Sequence, residues 1–380
     1  MLDFLLIARE KIIAWKYRYL AKPIFFRLDP EDVHDHITIW GARLGRFPLT
    51  RFLTRLCFDY QNQILAQTIR GIKFRNPIGL AAGFDKNAQL TQILPAVGFG
   101  FAEIGSVTGE YCPGNPKPRL WRLPKSESLI VYYGLKNDGA EAISKRLAGR
   151  KFAFPLGISI AKTNSPATVE VAAGVADYIK AYRAFSQTKV GDYFTINISC
   201  PNAFGGLPFT APDRLALLLE AIAKEPKTRP IFLKMSPDIS RADLDQIINL
   251  AEQYKIDGFI STNLTKDNGH SNVIDKIKEA LPTDKGGLSG KAVAGLADEQ
   301  LRYLAQCTGQ KFILIACGGI FTATDAYRQI RAGASLIQLA TGMIFQGPQA
   351  IGAINHGLVR LLKRDGFNNI SEAVGADFKN

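Results

Sequence analysis

Asn197-Ile198-Ser199-Cys200-Pro201-Asn202 concentrates amides, a hydroxyl and a thiol in one short stretch. The apolar run Tyr193-Phe194-Thr195-Ile196 precedes it and reads as a buried strand. Pro201 lacks a backbone N–H and cannot continue a strand ladder. A strand that ends this way presents hydrogen-bonding groups and a thiol at its carboxyl end. A polar strand exit followed by a turn is the plainer reading of the same residues. Lys234 sits inside Ile231-Phe232-Leu233-Lys234-Met235, where an ammonium is costly unless an anion or a polar ring meets it. Lys86 follows Ala81-Ala82-Gly83-Phe84-Asp85, whose small residues let a flat ligand approach the backbone. Other apolar runs end at Ser106-Val107-Thr108, Ser261-Thr262-Asn263-Leu264-Thr265, Cys317-Gly318-Gly319 and Ala340-Thr341-Gly342.

The elements that must position these groups recur regularly. Strand-like runs fall at Pro77–Ala82, Ala102–Val107, Pro155–Ile160, Tyr193–Ile198, Ile231–Met235, Gly258–Ser261, Phe312–Ala316 and Ser335–Ala340. Helical patterns fill most intervals, as at Asp213–Lys224, Ser240–Gln253, Asp298–Cys307 and Ala323–Ala332. Eight alternating units predict an α/β fold of the (β/α)8 TIM-barrel type, whose chemistry gathers where the strands end. A doubly wound open sheet is disfavoured because no GxGxxG opens the first helix. Glycines after the last two strands are the usual phosphate position in a barrel. Gly286-Gly287-Leu288-Ser289-Gly290-Lys291 lacks the Walker spacing and is not a P-loop.

Ahead of the barrel, Leu5, Ala8, Ile12, Trp15 and Tyr19 recur at helical spacing, with Arg9, Lys11, Lys16 and Arg18 elsewhere. A second helix is expected after Asp29 as N-cap and Pro30 at the first position, with Val33, Ile37, Trp40 and Leu44 as its face. This pair can pack on the barrel or lie on a bilayer, and the pattern alone does not choose. Residues 1–57 form the expected helical segment and 58–380 the barrel domain, which opens with a short hairpin between Ile64 and Arg75.

At 380 residues the chain can bury a large core, and 47% hydrophobic against 21% charged residues describes a globular rather than a disordered chain. A net charge of +13 suits an anionic membrane surface or an anionic small substrate. Nucleic acid is disfavoured, since there is no zinc-finger spacing or dense basic run. The five cysteines are odd in number, scattered and without CxxC, so no disulfide framework is expected. His34 and His36 are two apart and share no helix face, so packing or surface roles are preferred to a metal. No uninterrupted apolar run of ~18 residues predicts a membrane-spanning helix, and no secretory signal is expected.

A barrel with a late phosphate site, a buried lysine, several amides and a thiol suits a phosphorylated aromatic cofactor such as FMN beneath an anionic substrate. Taken together, the motifs resemble the dihydroorotate dehydrogenase family, in particular its membrane-associated, quinone-using class. The resemblance runs through Arg27-Leu28-Asp29-Pro30-Glu31, Asn76-Pro77-Ile78-Gly79-Leu80-Ala81-Ala82-Gly83-Phe84-Asp85-Lys86, Lys117-Pro118-Arg119-Leu120, the Asn197–Asn202 stretch, Gly286–Gly290 and Ile344-Phe345-Gln346-Gly347-Pro348. It implies oxidation of (S)-dihydroorotate to orotate in pyrimidine biosynthesis, with a membrane quinone as acceptor. It also implies peripheral attachment, on the cytoplasmic face of a bacterial inner membrane, through the helical segment. The FMN contacts implied are Ala82, Gly83, Ser106, Ser159, Asn197, Lys234, Thr262, Gly290, Gly319, Ala340 and Thr341. Substrate contacts would be Lys86, Asn197, Asn202 and Asn263, with Cys200 as the proton-abstracting residue. Lys86 and the positive net charge are expected to favour a Cys200 thiolate.

Four positions depart from the family pattern. Val131 stands where a substrate-binding Asn is usual, Leu264 where a polar residue is usual, and Ser159 where an Asn is usual. Cys200 replaces the Ser normal for the quinone class. Two alternatives follow: a family oxidoreductase acting on a different, less polar substrate, and a catalytically impaired flavin-binding protein of the membrane surface.

Overall fold

This computed structural model describes residues 2–200, 202, 204–205, 208–275 and 286–379. Pro201, Ala203, Gly206 and Leu207, which follow Cys200, lie outside the described residues. The hairpin β1 (Gln67–Ile69) and β2 (Ile72–Phe74) precedes β3 (Ile78–Leu80) and β4 (Phe101–Val107). Then come β5 (Leu120–Leu123), β6 (Ser128–Val131), β7 (Leu156–Ile160), β8 (Tyr193–Asn197), β9 (Ile231–Met235), β10 (Gly258–Ser261), β11 (Gly287–Gly290), β12 (Ile313–Cys317) and β13 (Leu336–Leu339). Strands β3, β4, β7, β8, β9, β10, β12 and β13 close into a parallel barrel in that cyclic order. These are the eight expected runs: β3, β7, β8 and β13 are shorter than expected, β9 and β10 match, β4 is one residue longer and β12 is shifted by one. Strands β5, β6 and β11 form an antiparallel sheet that the strand-by-strand reading missed.

The barrel interior is layered. At its lower end Phe101, Tyr193, Phe232, Ile260, Ile315 and Leu336 pack with Ile69 and Phe74 of the hairpin, which plugs the barrel. Burying each large ring contributes roughly 1.5–3 kcal/mol. Two glycines make room for the rings. A Cβ on Gly79 would lie 2.3 Å from the Phe101 ring, and one on Gly157 would lie 2.1 Å from Tyr193. The hairpin turns at Arg70 and Gly71, both with positive φ (49° and 81°), as its tight reversal requires.

Among the described residues four α-helices precede the barrel: α1 (Leu2–Lys16), which runs on through a π-helical turn at Tyr17–Ala21 into α2 (Lys22–Phe25), then α3 (Pro30–Arg46) and α4 (Pro48–Phe58). The expected pair is therefore incomplete. Asp29 caps α3 as anticipated, accepting from the N–H groups of Glu31 and Asp32. The inward side of α3 is small or polar: Glu31 and Thr38 are buried, and Gly45 closes against Ile93. Its apolar residues point outward, with Trp40 58% exposed, and so do Trp15, Tyr19, Leu49 and Phe52. Among the described residues no helix is long and apolar enough to cross a membrane.

Candidate active site

The barrel strands end at one mouth, to which α3 contributes His34 and the β5–β6–β11 sheet contributes Leu120, Leu129, Val131, Ser289 and Gly290. Every residue expected to touch cofactor or substrate or to abstract the proton, except Ser159, lines a single cavity there. The floor and one wall are small or glycine residues: Ala82 and Gly83 after β3, Gly318 and Gly319 after β12, and Ala340 and Thr341 after β13. A Cβ on Gly83 would meet nothing within 4 Å, so that side opens directly into the cavity. The N–H groups of Gly319 and Ile320 find no acceptor among the described residues. This is the donor set that a phosphate needs.

Hydrogen bonds order the polar side. Asn197 donates to Ser106 Oγ at 2.7 Å, and Ser106 Oγ pairs with Ser159 Oγ at 2.7 Å. Ser159 is fully buried and is not among the residues that line the cavity; its hydroxyl pairs with that of Ser106. Asn263 donates to Asn197 Oδ1 at 3.2 Å and Ser199 Oγ at 3.0 Å. Asn202 donates to the Val131 carbonyl at 2.7 Å, which ties the strand-end segment to β6. Val131 and Leu264 present apolar side chains to the same cavity.

The buried Asp85 carboxylate accepts from the N–H groups of Gln89 at 2.7 Å and Leu90 at 2.8 Å. Burial pushes Asp85 up to about 6. The Lys86 ammonium lies over the Tyr133 ring and 3.4 Å from His34 Nε2 on α3. Burial also brings Lys86 down to about 7, with Asp35 and Glu31 opposing and Lys136 and Arg119 adding to the effect. His34, read as a packing or surface residue, in fact reaches the cavity, and His36 remains exposed.

Cys200 lies at the cavity edge, but burial pushes its thiol up to about 11. The expectation that Lys86 favours its thiolate is thereby corrected. The nearby cations that act on it are Lys162 and Lys266, and they do not overcome desolvation. Lys162 is buried and donates to the Phe204 carbonyl at 2.6 Å, beside the Cys200 segment. Sequence reading missed Lys162, Tyr133 and the Glu31–Arg119 pair, because each acts through partners distant in the chain. Arg119 clamps Glu31 with Nη2–Oε1 at 2.8 Å and Nε–Oε2 at 3.0 Å, joining α3 to the loop before β5.

Fold and site define a (β/α)8 barrel protein whose mouth carries a helix-covered ligand cavity. The sequence profile described as "Dihydroorotate dehydrogenase" matches residues 64–362. A Trichormus variabilis protein named dihydroorotate dehydrogenase (quinone) is 37% identical over 379 residues, covering 96% of this chain and 99% of its own. A Nocardia farcinica protein of the same name is 39% identical over 363 residues, covering 94% and 96%. A crystal structure of DHODH from Eimeria tenella in complex with ferulenol aligns with TM-score 0.78 at 29% identity, covering 93% of this chain and 96% of that one. The chain belongs to the dihydroorotate dehydrogenase family.

Proposed function

We propose that this chain oxidises (S)-dihydroorotate to orotate with FMN as cofactor and a membrane quinone as final acceptor, serving pyrimidine biosynthesis. The observation that carries the reading is the meeting of Lys86, Asn197, Cys200, Asn202 and Asn263 over a floor of glycine and alanine in one cavity. That floor fits a flat, phosphorylated ring system, with the unpaired N–H groups near Gly319 available to its phosphate. Ala82, Gly83, Ser106, Asn197, Lys234, Thr262, Gly290, Gly319, Ala340 and Thr341 would hold FMN, and Ser159 would steady Ser106. When bound, FMN supplies a two-electron acceptor for the substrate and passes the electrons to the quinone.

The protein's own groups do the rest. Lys86 attracts the substrate carboxylate, and the three asparagines orient the ring. Cys200 Sγ takes the proton from the substrate carbon, a step that needs the base deprotonated or becoming so in the transition state. Residues 1–57 dock on the bilayer and give the quinone access, and residues 58–380 form the catalytic domain. The outward apolar faces of α1, α3 and α4, with exposed Lys11, Lys16 and Arg18 beside them, support peripheral attachment to an anionic surface such as the cytoplasmic face of a bacterial inner membrane. Anaerobic addition of dihydroorotate should bleach the yellow flavin of the purified protein. A flavin that stays oxidised rules the substrate out.

Val131 and Leu264 favour a second reading, a related substrate with a less polar edge. A site that leaves a substrate amide unpaired loses roughly 1–3 kcal/mol per group. If Val131→Asn with Leu264→Thr raises kcat/KM for dihydroorotate, the apolar wall is a handicap on the first substrate. If it lowers kcat/KM, the wall fits dihydroorotate as it stands.

A further inference from the structure

Glu103 is a fully buried carboxyl that no step above uses. It projects from β4 into the barrel interior, in the layer between the aromatic plug and the cavity. Its Oε2 accepts from Thr195 Oγ1 at 2.8 Å, Gln338 Nε2 at 2.9 Å and Tyr193 Oη at 3.4 Å. Ionised carboxyl groups only accept, and this donor set matches that form. Oε1 takes no hydrogen bond among the described residues and lies 3.9 Å from Lys234 Nζ. Lys234 is itself buried and lines the cavity. Here is the anion that the lone lysine in an apolar strand requires.

At 3.9 Å the pair is an ion pair without a hydrogen bond. Among the described residues the Lys234 ammonium donates no hydrogen bond, which leaves its donors for whatever occupies the cavity. Part of its charge is nevertheless offset by Glu103 in a medium that screens poorly. A lone cation there would favour added electrons on a bound aromatic cofactor more strongly than a paired one. The donors on Oε2 come from β8 and β13, so three strands fix the carboxyl and turn its free oxygen toward β9.

We propose that Glu103 is a positioning residue that acts through Lys234 and sets how readily the cofactor accepts electrons. This rests on the reading of FMN as the cofactor. Glu103→Gln keeps the shape and removes the charge. Its holoprotein, titrated anaerobically against a reference dye, should show an equilibrium constant for flavin reduction at least about tenfold above the parent's, or about 30 mV for two electrons. Glu103→Met removes the charge with a different shape and should give the same rise, which keeps the test available if the glutamine variant does not fold. Glu103→Asp retains the charge and should stay within about threefold of the parent, even where its thermal stability falls. A merely structural role would move stability without the constant. FMN-loaded Glu103→Gln and Glu103→Met with the parent's constant overturn the inference alone, as does Glu103→Asp shifting equally far. A parent protein that takes up no FMN overturns the cofactor reading, and this inference with it.

Discussion

The Lys86 ammonium stands 3.9 Å above the centre of the Tyr133 ring. The contact favours the charged lysine by cation–π attraction, while burial disfavours it and leaves its pKa about 7. An anionic substrate binds the charged form. Affinity for orotate, which carries the same carboxylate as the substrate but does not reduce the flavin, should therefore be constant below about pH 7 and weaken toward about tenfold per pH unit above it. Titrating the oxidised flavin spectrum with orotate across about pH 6–9 measures this. A flat profile would show that Lys86 keeps its proton throughout.

A thiol raised to about 11 makes Cys200 a strong but scarcely ionised base. The rate of flavin reduction should climb with pH through neutrality and still be rising at about pH 9, since the thiolate fraction grows until the thiol's own pKa is reached. Cys200→Ala should slow the step roughly 10²–10⁴-fold while leaving FMN bound. Rapid-mixing measurements at several pH values decide it. A plateau below about pH 8, or a fast alanine variant, assigns the proton elsewhere.

Trp40 and Phe52 are 58% and 55% exposed on α3 and α4. Replacing both with Ser removes two aromatic groups, each contributing roughly 1.5–3 kcal/mol when buried in the interface, and should weaken vesicle binding on the order of 10²–10⁴-fold. Quinone reduction should fall with it, and flavin reduction by substrate should be unchanged. Sedimentation with anionic vesicles and the two half-reactions, measured separately, test this. Unaltered vesicle binding would make these helices structural only. Deleting the whole segment is a less clean experiment, because it also removes Glu31 from Arg119.

Glu31 is 3% exposed against a 6% exposed Arg119. Burial pushes the Glu31 carboxyl up, but the hydrogen bond and charge of Arg119, with Lys117 and Lys136, outweigh it and hold the carboxyl below its usual value. The pair's stabilisation is thus present above the unfolded carboxyl value of about 4.3 and is lost as pH falls through the depressed folded value. Glu31→Gln should cost about 3–5 kcal/mol at neutral pH, because it strands a buried guanidinium. The cost should shrink in acid, where the parent loses the same charge. Denaturant unfolding at neutral and acidic pH checks both parts. An equal loss at both would place the effect in packing.

The barrel was legible in the chain because parallel strands buried on both faces leave continuous apolar runs, and all eight expected runs are barrel strands. Most of the candidate residues were legible because they stand at or just after the ends of those strands, while their roles came from the resemblance; fourteen of the fifteen line the mouth, all but Ser159, with Gly290 reaching it from β11 outside the barrel. The β5–β6–β11 sheet was not, since its strands are short and β11 pairs with β6 across more than a hundred residues of chain. The outward turn of the α3 apolar face was left open by a periodicity that fixes which residues share a face but not what that face meets. The sequence alone showed that Lys234 needed an anion or a polar ring. Only the closed barrel identified it as Glu103, which brings β4 and β9 together across the interior. It also overturned the charge expected of Cys200. Net charge is a property of composition, whereas a thiol's proton is governed by the solvent it has lost, and that loss exists only once the chain has folded around it.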